Sequence, residues 1–294
     1  MTKISGIYAA TLSILNSNLT LNVEKTIKHA DNLIDQGCHG IVIFGSTGQS
    51  QLISLSEKIS LVNELSKKKH KQKFIIGTGL NSLGENINYI KICLSLGFEN
   101  FLLMPPAYYN YSDNEVILYF KKIVQSVPKV KIILYNFEKL CGYKFSVDCI
   151  NELINKFPNN IVGVKDSSYN LYKNLNTKNF SVLPGSEVKL LDGLKAGCSG
   201  IISATCNVTA SLSRKVYDDY FNNGSQTHNE KLSKIRKTFD QFNLISAVHS
   251  YWSQVDKIYE NILPTLKLLE NAEKNKLISD LKKLNFNLKS YGKS

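Results

Sequence analysis

The sequence predicts a (β/α)8 barrel with a helical extension at its C-terminus. Eight short runs of β-branched and other apolar residues recur as far as Ala204, and amphipathic segments separate them. Alternation of this kind is typical of parallel βα units, and eight units favour a closed barrel over an open sheet. Beyond Thr227 only helical periodicity remains. We therefore expect a barrel over residues 1–224 and a three-helix extension over residues 225–294.

The eight predicted strands are Gly6–Leu12, Gly40–Phe44, Lys73–Gly77, Phe101–Met104, Lys131–Tyr135, Ile161–Lys165, Phe180–Leu183 and Gly200–Ala204. Each is expected to be followed by a helix, and the amphipathic segments include Ser56–Lys69, Glu85–Leu96, Asp113–Ser126, Val147–Phe157 and Lys189–Ala196. The alternative, a doubly wound open sheet, usually has fewer strands and a glycine-rich phosphate fingerprint at its first turn. Gly77, Gly79 and Gly84 have the wrong spacing for that fingerprint.

The extension is predicted to contain three helices, which are Leu232–Ala247, Trp252–Ile262 and Thr265–Leu284. Pro264 suits the start of the last helix, because its missing N–H is no loss in a first turn. We expect these helices to pack on the barrel or to form an oligomer contact.

The composition is that of a globular protein, with 43% hydrophobic and 20% charged residues. A net charge of +12 raises the possibility of a nucleic-acid partner, but only Arg214 and Arg236 are arginines. Lysine lacks the forked donor that reads guanine or binds phosphate bidentately, so no nucleic-acid partner is predicted. No apolar run approaches the roughly 18 residues of a membrane span. No membrane partner is therefore predicted.

The six cysteines are scattered without a Cys-x-x-Cys pair, and the five histidines include no His-x-x-x-His pair. This pattern is typical of buried thiols in a reducing cytoplasm. We expect a cytoplasmic protein without a metal site.

Lys165 is the first candidate catalytic residue, because active sites of βα barrels lie where strands end. Side chains alternate along a strand, so Val162 and Val164 lie on the face opposite Lys165. If the valines face the helices, Lys165 points into the barrel mouth, and Gly163 leaves space beneath it. A lysine there loses hydration, which favours a neutral, nucleophilic amine. The alternative is a strand-end lysine whose amine reaches solvent.

Tyr135 ends the fifth predicted strand, so its side chain can enter the barrel mouth beside Lys165. A phenol in that position can shuttle a proton through its hydroxyl group. The alternative is a wall residue whose hydroxyl is bonded to the backbone.

Ser46 and Thr47 lie between two glycines, directly after the second predicted strand. The backbone N–H groups of such a turn can converge on an anion. The same composition also describes an ordinary strand-to-helix turn.

Six motifs, in this order and spacing, resemble those of the dihydrodipicolinate synthase/N-acetylneuraminate lyase family. They are Gly45-Ser46-Thr47-Gly48, Pro105-Pro106-Ala107-Tyr108-Tyr109, Tyr135-Asn136, Gly163-Val164-Lys165-Asp166-Ser167, Gly185-Ser186-Glu187 and Gly200-Ile201-Ile202-Ser203-Ala204-Thr205. The resemblance implies a barrel with C-terminal helices, assembled as a homotetramer. It also implies a lyase in which Lys165 forms a Schiff base with pyruvate or another 2-oxo acid, without a separate cofactor.

The resemblance implies roles for the other motif residues. Tyr135 would relay protons, the Ser46–Thr47 turn would hold the carboxylate of the 2-oxo acid, and one tyrosine of Tyr108–Tyr109 would reach a neighbouring subunit's site. The residues expected to take part in the chemistry are Lys165, Tyr135, Tyr109 and Thr47. Those expected to bind substrate are Ser46, Thr47, Tyr108, Ser167, Gly185, Glu187, Ile202 and Ser203.

The loop after the fifth strand departs from the synthase pattern. Leu140 stands where that branch carries an arginine for the second substrate's carboxylate, and Glu138 replaces a proline. No arginine precedes Arg214, and Lys139 could substitute only as a point charge. These departures argue against a true dihydrodipicolinate synthase.

We therefore predict a pyruvate-type Schiff-base lyase for a short hydroxylated 2-oxo acid, of the 2-keto-3-deoxy sugar acid or hydroxy-oxoglutarate class. The neuraminate-lyase branch is less favoured, because it carries further polar residues near strand seven, where Val188 follows Glu187. One alternative is 4-hydroxy-tetrahydrodipicolinate synthase of lysine biosynthesis. Another, from a different class, is a non-catalytic metabolite-binding barrel.

Overall fold

Eight parallel strands curl into a barrel in the computed structural model, which describes residues 3–175 and 177–287. The strands are β1 (Gly6–Ala10), β2 (Gly40–Ile43), β3 (Phe74–Gly77), β4 (Asn100–Leu103), β5 (Lys131–Asn136), β6 (Ile161–Asp166), β7 (Ser181–Pro184) and β8 (Gly200–Ser203). Neighbouring strands pair in the order β7-β6-β5-β4-β3-β2-β1-β8. Ser199 N donates to Val182 O at 2.9 Å, which joins the two ends of this order. The predicted (β/α)8 barrel is confirmed.

Eight helices of the described chain accompany the strands. They are α1 (Val23–Asp35), α2 (Leu55–Ser66), α3 (Leu83–Ser95), α4 (Asp113–Ser126), α5 (Glu138–Cys141), α6 (Val147–Lys156), α7 (Leu190–Lys195) and α8 (Cys206–Phe221). Several begin at a capping residue, as at α2, where Ser54 and Glu57 form a reciprocal capping box. The expectation that every strand is followed by a helix is wrong at β6. In the described part of the segment between β6 and β7 the chain forms a loop around Asp166.

Three further helices follow in the described chain, α9 (Asn229–Phe239), α10 (Leu244–Trp252) and α11 (Asn271–Lys283). The predicted helix Leu232–Ala247 is wrong in its length, because Asn243 interrupts it and caps α10 by accepting from Ser246 N at 3.1 Å.

The other two predicted helices of the extension also have wrong bounds. Of Trp252–Ile262, only Trp252 and the 3₁₀ turn Lys257–Glu260 are helical. Pro264 does not start the last helix, because a capping box between Glu270 and Glu273 starts α11 further along the chain. Residues 288–294 of the predicted extension lie outside the described residues.

Apolar side chains form three cores. The largest lies between the strands and the helices around them, and a smaller one fills the barrel interior with residues such as Ile133, Leu183 and Ile202. A third core joins the extension to the barrel, because Phe239 and Trp252 pack with Leu12 from the loop after β1. The extension therefore packs on the C-terminal side of the barrel.

None of the helices in the described chain has both the length and the hydropathy that crossing a bilayer requires.

An irregularity in β6 corrects part of the predicted alternation. The register between β5 and β6 shifts after Ile132, so that Ile133 pairs with Gly163 and Val162 has no direct partner. Val162 consequently packs against the barrel interior, whereas Val164 packs under the helices as predicted. Glycine is needed at position 163 for a different reason from the predicted space beneath Lys165. A Cβ there would lie 2.7 Å from Ser181 O of the neighbouring strand.

Candidate active site

A cavity of about 650 Å³ opens at the C-terminal ends of β2, β5, β6 and β7. Its wall also includes residues of α9 and of the segment leading into α10. The lining residues are Ser46, Thr47, Tyr135, Phe137, Glu138, Lys139, Leu140, Lys165, Ser167, Ser168, Tyr169, Gly185, Ala204, Arg236, Asp240, Phe242, Asn243, Leu244 and Ile245. This is the end of a βα barrel at which active sites are found.

Lys165 and Tyr135 are in contact at the base of this cavity. They are direct register partners on β6 and β5, and Lys165 Nζ lies 4.2 Å from the centroid of the Tyr135 ring. Their exposed fractions are 3% and 5%, so both side chains are almost completely shielded from solvent. The register shift lower in β6 does not disturb this pairing, because it resumes regularly from Gly163 onward.

The turn after β2 brings a hydroxyl group to the same place. Ser46 Oγ lies 3.0 Å from Tyr135 Oη, and Thr47 lines the cavity with only 3% exposure. The turn is a 3₁₀ turn, Ser46–Gly48, and Ser13 Oγ fixes its end by donating to Gly48 O at 2.6 Å. A Cβ at position 48 would lie 2.9 Å from Thr11 O, so glycine is needed for this close approach. The structure thus brings three predicted residues together with Lys165.

Asp166 organises the next wall of the cavity. Its carboxylate is fully buried and accepts from Asn136 Nδ2 at 2.8 Å and from the backbone N–H groups of Tyr169, Leu171 and Tyr172 at 2.9–3.0 Å. These bonds close the loop after β6 and hold Ser167 at the cavity wall. Charge-assisted bonds of this kind are stronger than neutral ones. The loop therefore has a defined shape although it contains no helix in its described residues.

Glu187 and Ser203 do not line the cavity, although both were predicted to bind substrate. Both side chains are fully buried, and Ser203 Oγ donates to Glu187 Oε2 at 2.6 Å. Ile202 lies in the apolar core of the barrel interior, also fully buried. Gly185 is the one residue of the predicted strand-seven motif that reaches the cavity wall.

The partner of Glu187 is Arg236 of α9, which sequence reasoning did not assign to the site. Arg236 Nη1 donates to Glu187 Oε2 and to Ser203 Oγ, both at 2.9 Å, and Nε donates to Asp240 Oδ1 at 2.8 Å. Burial alone would raise the pKa of Glu187, but the Arg236 charge and nearby hydroxyl donors hold it below its usual value. Burial likewise opposes the charge of Arg236, but Glu187 and Asp240 raise its pKa further above the ordinary range. Both members of this buried pair are therefore charged.

A second, mostly apolar cavity of about 280 Å³ adjoins the first one. The two share Ser46, Tyr135, Leu140 and Ile245, and the second continues past Leu52 and Met104. Leu140, at the position of the synthase arginine, thus stands where the two cavities meet.

Tyr108 and Tyr109 lie on the surface and line neither cavity of their own chain. Their exposed fractions are 91% and 67%, and their ring centroids are 5.2 Å apart. Tyr108 also has a φ of 96°, which is unusual for a bulky residue.

No group of three or more His, Cys, Asp or Glu side chains that could hold a metal ion occurs within residues 3–175 and 177–287.

Residues 3–284 match the model of the dihydrodipicolinate synthetase family. A 4-hydroxy-tetrahydrodipicolinate synthase from Karelsulcia muelleri is 30% identical over 210 residues, which are 69% of this chain and 70% of that protein. A DapA-like lyase from Chloroflexus aurantiacus is 25% identical and covers 90% of this chain and 91% of its own length. Among solved structures, a prophage protein of the dihydrodipicolinic acid synthase family from E. coli K12, in complex with pyruvate, has a TM-score of 0.86. That match has 21% identity over 97% of this chain and 100% of the other, and it supports the fold.

Proposed function

The chain belongs to the dihydrodipicolinate synthetase family, whose enzymes are lyases of the class I aldolase type, and from this premise we propose that it cleaves or forms an aldol bond in a short hydroxylated 2-oxo acid. The observation that carries the proposal is the contact between the buried side chains of Lys165 and Tyr135. It lies at the base of a cavity large enough for such a substrate. A binding protein without catalysis has little need of an amine and a phenol in contact.

Lys165 is the proposed nucleophile. Its amine, once deprotonated, adds to the C2 carbonyl of the 2-oxo acid, and uptake of one proton with loss of one water gives an iminium. The iminium then accepts the electron pair of the C3–C4 bond as that bond breaks, which leaves an enamine of pyruvate and an aldehyde. Protonation of the enamine and addition of water release pyruvate and restore the lysine.

Tyr135 is the proposed proton relay. The C4 hydroxyl must lose its proton as the C3–C4 bond breaks, and the Tyr135 hydroxyl can accept that proton while passing its own to Ser46 Oγ, 3.0 Å away. Ser46 then releases its hydroxyl proton to water in the open cavity. In the reverse direction the Tyr135 hydroxyl returns a proton to the aldehyde oxygen. A relay through two hydroxyls needs their contact, which the turn after β2 provides.

The Ser46–Thr47 turn is the proposed binding site for the substrate carboxylate. Both residues line the cavity beside Tyr135 and Lys165. Holding the carboxylate there orients the adjacent carbonyl toward the amine. Ser167 and Gly185 line the same cavity and complete the proposed substrate contacts. Glu187 and Ser203 are proposed to act through Arg236, whereas Ile202 is proposed to support the cavity from the barrel interior.

We propose that the enzyme is a homotetramer in which Tyr109 enters the site of a neighbouring subunit. The support is a pair of exposed aromatic rings, held by an unusual backbone at Tyr108, together with an apolar cavity that ends at Tyr135. A second copy of this chain can fill such a cavity with a ring and cover the exposed side chain of Leu52. A cytoplasmic location is also proposed, because all six cysteines are buried free thiols.

A second candidate function is 4-hydroxy-tetrahydrodipicolinate synthase, which is the name of the Karelsulcia relative. Leu140, rather than an arginine, lines the cavity at the critical position, and this argues against it. The two functions share the pyruvate step and differ only in the second substrate.

The test is to supply the purified protein with two kinds of substrate. Release of pyruvate from hydroxylated 2-oxo acids, measured with a coupled lactate dehydrogenase assay, is the expected result. Faster consumption of pyruvate with aspartate semialdehyde than release of pyruvate from any of these acids would establish the synthase instead. Pyruvate binding without turnover in either direction would favour the non-catalytic barrel.

A further inference from the structure

Arg236 of α9 and Asp240, the residue that directly follows α9, form an ion pair at the wall of the cavity that holds Lys165. They are spaced i, i+4, with Nε donating to Oδ1 at 2.8 Å. The Arg236 side chain is 7% exposed, while that of Asp240 is 44% exposed, so the pair runs from the buried wall to the mouth. The extension therefore supplies two charged groups to a site whose reactive groups come from the barrel.

The guanidinium of Arg236 has more N–H donors than its described partners use. Arginine carries five N–H bonds, one on Nε and two on each terminal nitrogen. The hydrogen bonds that Arg236 makes to the described residues come from Nε and Nη1, to Asp240, Glu187, Ser203, Thr205 and Gly185. Within this part of the chain Nη2 donates to no acceptor. A nearly buried donor at a cavity wall is thus left for a ligand.

The charge around Arg236 decides which ligand suits this donor. Two carboxylates, Glu187 and Asp240, are hydrogen-bonded to one guanidinium, so the three groups together carry a net charge of −1. Elsewhere in the wall, α5 contributes Lys139 and Glu138, and Glu138 pairs with Lys144 at 3.2 Å. A second carboxylate on the substrate would meet no surplus positive charge near α9. A hydroxyl group can instead accept from Nη2 and donate to Asp240.

We propose that Arg236 and Asp240 select substrates whose distal carbon carries a hydroxyl group over those in which it carries a carboxylate. This inference rests on the proposed function and narrows it. Of the two substrate classes that the sequence leaves open, it favours the deoxy sugar acids, whose distal end is uncharged, over the hydroxy-oxoglutarate type.

The experiment compares two five-carbon substrates that differ only at C5, 4,5-dihydroxy-2-oxopentanoate and 4-hydroxy-2-oxoglutarate. For the wild type we expect kcat/KM to favour the dihydroxy acid by about tenfold or more, since a site that hydrogen-bonds a hydroxyl discriminates against analogues that cannot pair with it. D240N removes one negative charge at an exposed position, so it should fold normally. We expect it to reduce this preference by about tenfold or to reverse it.

A matched control lies on α8, where Arg214 and Asp218 form an i, i+4 pair. Arg214 Nε lies 2.7 Å from Asp218 Oδ1, and neither residue lines the cavity. D218N should leave the preference unchanged. R236K, with thermal unfolding measured in parallel, should weaken turnover of the dihydroxy acid more than that of the dicarboxylic acid. If wild type releases no pyruvate from either acid, the proposed function itself fails. If it releases pyruvate from both without preference, prefers the dicarboxylic acid, or responds equally to D240N and D218N, only the role of α9 is overturned.

Discussion

Lys165 Nζ lies 4.2 Å from the centroid of the Tyr135 ring because the two residues are register partners on adjacent parallel strands. Each residue lies one position before the end of its strand, so both side chains emerge at the mouth of the barrel. The contact is therefore fixed by backbone hydrogen bonds and not by a flexible loop. Rigid placement of this kind is what proton transfer and nucleophilic attack require.

Replacing Tyr135 by phenylalanine tests the proton relay. Y135F keeps the ring that packs over Lys165 but removes the hydroxyl that contacts Ser46 at 3.0 Å. We expect kcat for pyruvate release to fall by about 10²-fold or more, which is typical for loss of a general acid–base group. Y119F is the matched control, because the buried Tyr119 hydroxyl has no hydrogen-bond partner among the described residues. Equal activities for the two variants would remove Tyr135 from the chemistry.

Asp166 is expected to stabilise the loop after β6. D166N loses the charge that accepts three backbone N–H bonds and one from Asn136. We expect it to lower the free energy of unfolding by about 3 kcal/mol, because a buried charged acceptor is lost while its donors stay buried. Urea denaturation measures this difference. D148N, at an exposed position in the first turn of α6, should cost only a few tenths of a kcal/mol. A loss at Asp166 no larger than at Asp148 would contradict this role.

Two buried histidines predict how stability depends on pH. Burial lowers the pKa of both His29 and His249 to about 4 from 6.5. Between these values the unfolded chain binds more protons than the folded one, so stability is fully present above pH 6.5 and falls as the pH drops toward 4. The loss can reach about 3 kcal/mol for each histidine. Urea midpoints measured from pH 7 to pH 4 check this.

These histidines lie where the extension meets the barrel. His29 of α1 contacts Tyr259 Oη at 2.9 Å and Asn207 Oδ1 at 2.9 Å, and His249 Nδ1 contacts Tyr259 O at 2.9 Å. H249Q should therefore flatten the fall in stability between pH 6.5 and 4. An unchanged slope in H249Q would show that other groups cause the acid sensitivity.

Tyr109 is expected to act across a subunit boundary, which subunit mixing can test. K165A and Y109F should each be nearly inactive as pure oligomers. In mixed oligomers of equal parts, a site with both groups forms wherever a Y109F subunit receives Tyr109 from a K165A neighbour, which gives about a quarter of all sites. Recovery of that share of activity after co-refolding is the expected result. A fully active Y109F oligomer, or mixtures without recovery, would contradict the exchange.

The sequence predicts the barrel and the base of the site well, because both depend on local periodicity. Strand alternation alone places Lys165 and Tyr135 at the mouth, and the structure puts them in contact. Alternation fails at Val162, where a register shift in β6 has no signal in the residue pattern. The shift is compensated before Lys165, so the prediction of its direction holds.

The far wall of the cavity could not be predicted, because it depends on packing between distant segments. Arg236 is 49 residues from Glu187 along the chain, and only the docking of α9 brings them together. The scarcity of arginine is the one sequence signal that could have directed attention to Arg236. The same docking explains the position of Glu187, whose motif predicted a substrate contact but whose carboxylate pairs with the guanidinium.

Chemical trapping of the proposed iminium tests most directly whether Lys165 is the nucleophile. Wild-type protein is incubated with pyruvate and sodium borohydride, digested, and mapped by mass spectrometry, with K165R treated in parallel. Lys58 is a demanding internal control, because it is fully buried, its amine donates to Thr78 O, and burial lowers its pKa to about 8. We expect one reduced pyruvate adduct, on Lys165 of the wild type, and none on Lys58 or in K165R. An adduct on another lysine, or an unmodified Lys165 under conditions that label a known class I aldolase, would contradict it.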